Sequence, residues 1–185
     1  MFDESKKKFL LHSCCAPCSV AIIDELKDQF DLTVFFYNPN IFPLEEYLKR
    51  KTEVMRVCGD CKVPVVDMDY EADQWHGKVA EGLENVEEGG ERCSLCFRFR
   101  LAKSAEYAAK NSFEFFGSSL TSGRNKKAEV INPIGQEFAK LYKINFFDVD
   151  WKTGGRQEKG SRIASTKNIY RQNYCGCKFS LPKNI

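Results

Sequence analysis

Histidine is nearly absent: only His12 and His76 occur in 185 residues. Zinc sites commonly recruit imidazole, so a histidine-rich metal site is excluded and any metal must be held mainly by other donors. No apolar run approaches the roughly 20 residues that a membrane-spanning helix needs. The opening segment, Met1 to Lys8, is charged and runs into too few apolar residues for the core of a secretory signal, so a cytoplasmic location is expected. Repeats, low-complexity tracts and linker-like stretches are also missing, which leaves a single domain over 1–185 as the expected organisation. With 43% hydrophobic and 29% charged residues, the composition excludes a disordered chain.

Cysteine, by contrast, is plentiful. There are nine, an odd number that cannot all pair within one chain. Thiols in a cytosolic protein are normally kept reduced, which points to metal or redox chemistry rather than structural disulfides. Charge is unevenly spread. The whole chain carries +2, but residues 151–185 hold eight Lys or Arg and one acid, so that segment carries +7 and residues 1–150 carry −5. A basic tail on an acidic body suits an anionic partner held near the C-terminus, or a solvated irregular tail.

The order of elements reads as strands alternating with helices. Lys8–His12 is a short first strand, and Val20, Ile22, Ile23, Leu26 and Phe30 mark a helix over Ser19–Phe30. Leu32–Tyr37 is a continuous apolar and aromatic run, as in a buried strand of a parallel sheet. A proline-containing loop over 38–43 follows, then a helix from Leu44 to about Val57, a third strand over Val63–Asp67 and a helix over Asp73–Val86. Further on come a helix over Cys96–Lys110, a strand over Phe113–Gly117, a helix over Ile134–Tyr142 and a strand over Ile144–Val149. This order predicts an α/β fold: a parallel sheet of about five strands with helices on both faces, and a site beyond the carboxyl ends of the strands. Cys14 and Cys15 come directly after the first strand, at that end.

The cysteines fall into four groups: Cys14-Cys15-x-x-Cys18, Cys58-x-x-Cys61, Cys93-x-x-Cys96 and Cys175-x-Cys177. Two-residue spacing brings two thiolates to one metal, and iron–sulfur clusters and structural zinc both use it. A lone buried cysteine is more simply a small hydrophobe, and Cys15-Ala16-Pro17-Cys18 also fits a thioredoxin-like redox pair. Spacing therefore supports a metal without choosing which. Setting Cys58 and Cys61 aside, seven thiols remain, more than the four that one cluster needs. That surplus favours a catalytic site over a structural one.

At these residues the chain resembles a known family, the QueH-type epoxyqueuosine reductases. The matching segments are Leu10-Leu11-His12-Ser13-Cys14-Cys15-Ala16-Pro17-Cys18, Tyr37-Asn38-Pro39-Asn40-Ile41 with Glu46-Tyr47, Arg92-Cys93-x-x-Cys96-Phe97-x-x-Arg100-Leu101, and Tyr170-Arg171-Gln172-x-Tyr174-Cys175-Gly176-Cys177-x-Phe179-Ser180. The resemblance implies a HUP- or Rossmann-like sheet and reduction of epoxyqueuosine to queuosine at the wobble position of tRNAs with GUN anticodons. It also implies a [4Fe–4S] cluster with a further metal ion nearby, iron or else zinc, and an unidentified low-potential electron donor. Cys58 and Cys61 lie outside the matching segments and are expected to be bystanders: a local zinc or disulfide pair, or free thiols.

The expected division of the thiols is Cys14, Cys15, Cys93 and Cys96 on the cluster and Cys18, Cys175 and Cys177 on the second metal, with segment 151–185 closing over the site. Tyr174, Tyr170 and His12 are the candidate proton donors, with Asp150 behind them. Tyr37 and Phe97 could stack on a splayed base. Arg98, Arg100, Arg124, Lys126, Lys127, Lys152, Arg156 and Arg171 could meet phosphates. Two alternatives lack this chemistry: a zinc-stabilised RNA-binding module, and a thiol–disulfide oxidoreductase using Cys15 and Cys18.

Overall fold

The computed structural model describes residues 6–182. Its centre is a five-stranded sheet built from β1 (Lys8–His12), β2 (Asp31–Phe36), β3 (Val65–Asp67), β4 (Phe115–Ser118) and β5 (Asn145–Phe146). The spatial order is β3-β2-β1-β4-β5, and every pairing is parallel. The chain first builds outward from β1 through β2 to β3, then returns to place β4 and β5 on the other side. The direction reverses between β1 and β4, and open α/β sheets open a crevice at such a reversal, at the carboxyl ends of the strands.

Both faces of the sheet are covered. Phe9, Leu11, Val34 and Phe36 point into a core with α1 (Ala16–Leu26), α2 (Leu44–Cys61) and, from the C-terminal segment, α6 (Arg156–Thr166). Leu10, Phe35 and Phe116 point the opposite way, against α4 (Glu91–Lys110) and α5 (Ala128–Tyr142). Burial on both faces is why β1 and β2 read as unbroken apolar runs rather than alternating ones.

The expected elements are all present, with shifts that have local causes. Helix α1 begins at Ala16, three residues earlier than the periodicity suggests. Pro17 sits in its first turn, where a missing N–H costs nothing. Helix α4 begins at Glu91 and so carries both Cys93 and Cys96 in its opening turns. Helix α5 begins at Ala128 and runs through Pro133, which costs it the one N–H bond that residue 133 would have made to the Glu129 carbonyl. The expected helix over 73–86 is cut short: α3 (Ala72–Trp75) continues as a single π-helical turn over His76–Ala80, and Gly82 at φ 79° ends the run. The basic tail, for which a solvated irregular segment is one of two readings, contains α6. Its buried residues are the small Gly160 and Ala164, with Gly160 close to Ala21 of α1. Among the described residues no helix is long and apolar enough to cross a membrane.

Candidate metal centre

Cys14 and Cys15 lie between the end of β1 and the start of α1, at the reversal point of the sheet. With Cys18, in the first turn of α1, they form a group whose three sulfurs all lie within 4.8 Å of one another. Helix α1 directs its N-terminal N–H groups and the positive end of its dipole toward this corner, which favours anionic sulfur. From the other side of the reversal, Ser119, just after β4, accepts a hydrogen bond from the Cys14 backbone N–H at 3.2 Å and donates to Cys14 Sγ at 3.6 Å.

A second strip of thiols adjoins the first. Cys93 packs against the apolar cluster that holds Cys14, Cys15, Phe97, Leu101 and Leu120. Its sulfur accepts a hydrogen bond from the Gly89 N–H at 3.2 Å. Cys96, one helical turn on, is buried with Cys177 against Trp75, Val79 and Ala80 of α3 and its π turn. Cys93 and Cys96 also feel the charges of Cys175 and Cys177. Seven of the nine cysteines thus lie at one end of the sheet, with Cys14, Cys15 and Cys18 the three whose sulfurs come within 4.8 Å of one another. Cys58 and Cys61 end α2 in the core on the other face, both free thiols, and burial pushes Cys58 up to about 12. Of the alternatives for that pair, a disulfide is corrected: neither thiol is bridged.

Arg50 fixes the last thiol pair. It is buried on α2, forms an ion pair with Glu46 at 2.7 Å, and donates to the carbonyls of Cys175 at 2.9 Å and Tyr174 at 3.2 Å. Gly176, between the two cysteines, has φ 146° and a backbone so close to Asn40, Ile41 and Arg50 that a side chain would crowd them. Its carbonyl accepts from the Phe42 N–H at 2.8 Å.

The thiol environments differ. Burial pushes the Cys14 thiol up, but the charges of Lys126 and Arg100 and the hydrogen bond from Ser119 outweigh it and leave Cys14 below its ordinary value. Burial leaves Cys93 and Cys96 above theirs. A bound metal would supply the charge that deprotonates them. Cys15 and Cys18 are joined as a disulfide with 5.4 Å between their Cα atoms, so Cys15 offers a thiolate only after reduction.

Soft sulfur donors suit iron–sulfur or zinc chemistry and not hard cations. Two buried N–H groups of α4 lack any partner, Arg92 Nε and Arg100 Nε, and Trp75 Nε1 is buried facing the Cys96 sulfur. Orphaned donors around an anionic sulfur group are what a thiolate-ligated metal cofactor would satisfy, so the residues fit such a group.

The thiol end of the sheet opens onto a cavity of about 720 Å³ that reaches Cys18, Cys175, Lys126, Arg124, Trp151 and Tyr174. The proton-donor candidates separate here. His12 is fully buried. Its Nε2 lies 3.1 Å from the Tyr37 carbonyl, which can only accept, so Nε2 carries the proton and Nδ1 accepts from the Ser118 hydroxyl at 3.0 Å. Burial and the charge of Arg100 hold this imidazole well below its ordinary value, hence neutral. Tyr170 donates to Glu46 at 2.9 Å. Tyr174, whose hydroxyl donates to the Phe42 carbonyl, is the one of the three that lines the cavity.

Other expected contacts are corrected. Tyr37 and Phe97 are buried, Tyr37 with its hydroxyl on Glu71, so neither presents a free face to a base. Arg100 is 1% exposed and out of reach of phosphates, whereas Arg98, paired with Glu137, stays at the surface and Arg156, paired with Glu25, lines the cavity. Sequence reasoning missed Arg50 and Ser119; a charged residue one helical turn after Glu46 was the available signal for Arg50.

Fold and site together define a class: a parallel α/β protein with a thiol-ligand centre at the sheet's reversal point. The family described as "Epoxyqueuosine reductase QueH" matches residues 9–183. The chain belongs to that family. Among curated relatives, epoxyqueuosine reductase QueH of Acinetobacter baylyi is 42% identical over 180 residues, 96% of this chain and 82% of the relative. The Histophilus somni protein of that name is 41% identical over 94% of this chain and 72% of its own length. The one from Thermotoga maritima is 36% identical over 93% and 89% respectively. Among solved structures, the U34-tRNA thiolase NcsA from Methanococcus maripaludis, described with its [4Fe–4S] cluster, superposes with a TM-score of 0.60 at 11% identity. That match covers 96% of this chain but 63% of the thiolase, and it establishes the shared sheet architecture.

Proposed function

We propose that the chain is a cytoplasmic, iron–sulfur-dependent epoxyqueuosine reductase acting on the wobble base of tRNAs with GUN anticodons. The observation that carries this reading is the gathering of seven cysteines at the reversal point of the sheet, beside a basic cavity that reaches Cys18 and Cys175, in a member of this family. Cys14, Cys15, Cys93 and Cys96 would hold a [4Fe–4S] cluster, and Cys18, Cys175 and Cys177 a mononuclear metal, iron or else zinc. When bound, these groups supply low-potential one-electron transfer and Lewis acidity toward an epoxide oxygen. The net change takes two electrons, from an unidentified low-potential donor, and two protons. Both carbon–oxygen bonds of the epoxide break, the carbon–carbon double bond forms, and the oxygen leaves as water.

The chain's own side chains would do the rest. Arg124, on the cavity wall, suits the anionic flank of an anticodon nucleotide. Tyr174 is the proton donor best supported, since it alone of the three lines the cavity; its hydroxyl, which donates to the Phe42 carbonyl, would have to turn from that bond to serve. The segment from residue 151, whose last three residues (183–185) lie outside the described ones, belongs to the same single domain and closes over the site, a reading supported by the grip of Arg50 on the carbonyls of Tyr174 and Cys175.

The Cys15–Cys18 disulfide favours one second reading, a thiol–disulfide oxidoreductase. Reconstitution with iron and sulfide without oxygen separates the readings. A brown protein that converts epoxyqueuosine in tRNA to queuosine, and loses its full cluster on Cys93→Ala, supports the reductase. Insulin reduction by the iron-free protein, with no conversion, supports the oxidoreductase. A colourless zinc protein that binds RNA without turnover sinks both.

A further inference from the structure

Three arginines lie almost wholly inside the molecule, and they are satisfied differently. Arg50 has the carboxylate of Glu46, and Arg92 donates to the backbone carbonyls of Leu83, Glu84 and Val86. Arg100 has neither. It is 1% exposed, its Nη2 donates to the neutral Asn38 Oδ1 at 2.5 Å, and its Nε has no partner. It belongs to none of the ion pairs among the described residues. Lys126 is similar: 9% exposed, outside every one of those ion pairs, with its Nζ 3.9 Å from Cys14 Sγ. Two buried positive charges without carboxylates are strongly unfavourable unless something negative offsets them. The anionic candidates they face are sulfurs. Arg100 lies one helical turn after Cys96 on α4, and both cations act electrostatically on Cys14.

We propose that Arg100 and Lys126 are the counter-cations of the cluster held by these cysteines, positioning residues that set its reduction potential. This rests on the cluster reading above. A [4Fe–4S] centre with four thiolates carries a net charge of −2 when oxidised and −3 after taking one electron, so a fixed positive charge beside it favours the reduced form. Arg100 acts on the Cys14 and Cys96 sulfurs by its charge, and the buried Trp75 Nε1, facing Cys96, adds a donor on that side.

The test is a reductive titration of the full chain, reconstituted without oxygen and free of tRNA, followed by the paramagnetic signal of the reduced cluster. Wild type is compared with Arg100→Met, Arg100→Lys, Lys126→Met and Lys126→Arg. Each Met variant should move the reduction equilibrium about tenfold or more toward the oxidised form, roughly 59 mV lower for a one-electron couple. Each charge-conserving variant should stay close to wild type. Loss of the cluster in Arg100→Met with retention in Arg100→Lys also supports the proposal, because the charge is then what matters. Wild-type potentials in both Met variants overturn it while leaving the cluster reading intact. Failure of the wild-type chain to take up iron and sulfide removes the cluster reading and this proposal with it.

Discussion

Replacing Arg50 by Met should loosen the segment that carries Cys175 and Cys177. Arg50 ties α2 to that segment by two bonds to main-chain carbonyls and the stacking of its guanidinium 5.0 Å from the Tyr174 ring centre, and an ion pair with Glu46, one turn earlier on the same helix, holds it in place. Met keeps most of the buried bulk, so the loss is polar. Orphaning two carbonyls costs about 1–3 kcal/mol each if they stay buried, and breaking a buried pair costs about 3–5 kcal/mol. Glu46 keeps the Tyr170 hydroxyl as a partner, and the freed carbonyls can turn to water, which argues for the lower end, about 3 kcal/mol. For a chain of this size that lowers the melting temperature by roughly 6–12 °C. Arg50→Lys should fall between, because one ammonium cannot span a carboxylate and two carbonyls in this geometry. Thermal unfolding gives the global number. Amide exchange of peptides spanning 170–177 gives the local one and should rise most. Unchanged melting together with unchanged exchange in that segment would show that Arg50 does not anchor it.

Four further outcomes follow from the same structure. Cys58→Ala should leave iron and sulfide uptake intact and cost about 1 kcal/mol from lost packing, since this thiol is buried away from the centre; loss of the metal would contradict that placement. Gly135→Ala should destabilise by about 1–3 kcal/mol, because the added methyl collides with the Phe146 ring where α5 crosses β5; an unchanged melting curve refutes the contact. Hydrogen bonds from Lys159 and Lys27 to Asp24, and from Arg156 to Glu25, hold these carboxylates below their usual range, so their contribution to docking α6 on α1 is present above the unfolded pKa and fades as pH falls through the folded one. Acid unfolding should therefore be less steep in Glu25→Gln, and an identical acid limb counts against it. The affinity for tRNA should fall as salt rises, with a shallower slope in Arg124→Gln; affinity independent of salt would remove the electrostatic role of the cavity wall.

Much of the sheet was legible because burial on both faces writes itself into β1, β2 and β4 as apolar runs, and the first strand was bounded at Lys8 and His12 by composition alone. Helix α6 was not legible. Only Gly160 and Ala164 are buried along it, and small residues packed against α1 leave no apolar stripe to read. The π turn after Trp75 likewise has no sequence signature, although it supplies the wall behind Cys96 and Cys177. At the site, cysteine spacing identified the groups but not how they adjoin, since that depends on the return of the chain to β4 and on Arg50 fastening a segment more than a hundred residues away. Arg100 read as a phosphate contact because its isolation from carboxylates is a tertiary property.

The account stands most directly on one conversion. The chain, reconstituted with iron and sulfide under anaerobic conditions, is given epoxyqueuosine-containing tRNA and a low-potential reductant, and the nucleosides are then separated and weighed. The account predicts loss of one oxygen from the wobble nucleoside in proportion to cluster content, and no loss with metal-free protein. A fully loaded cluster that leaves epoxyqueuosine unchanged would contradict it.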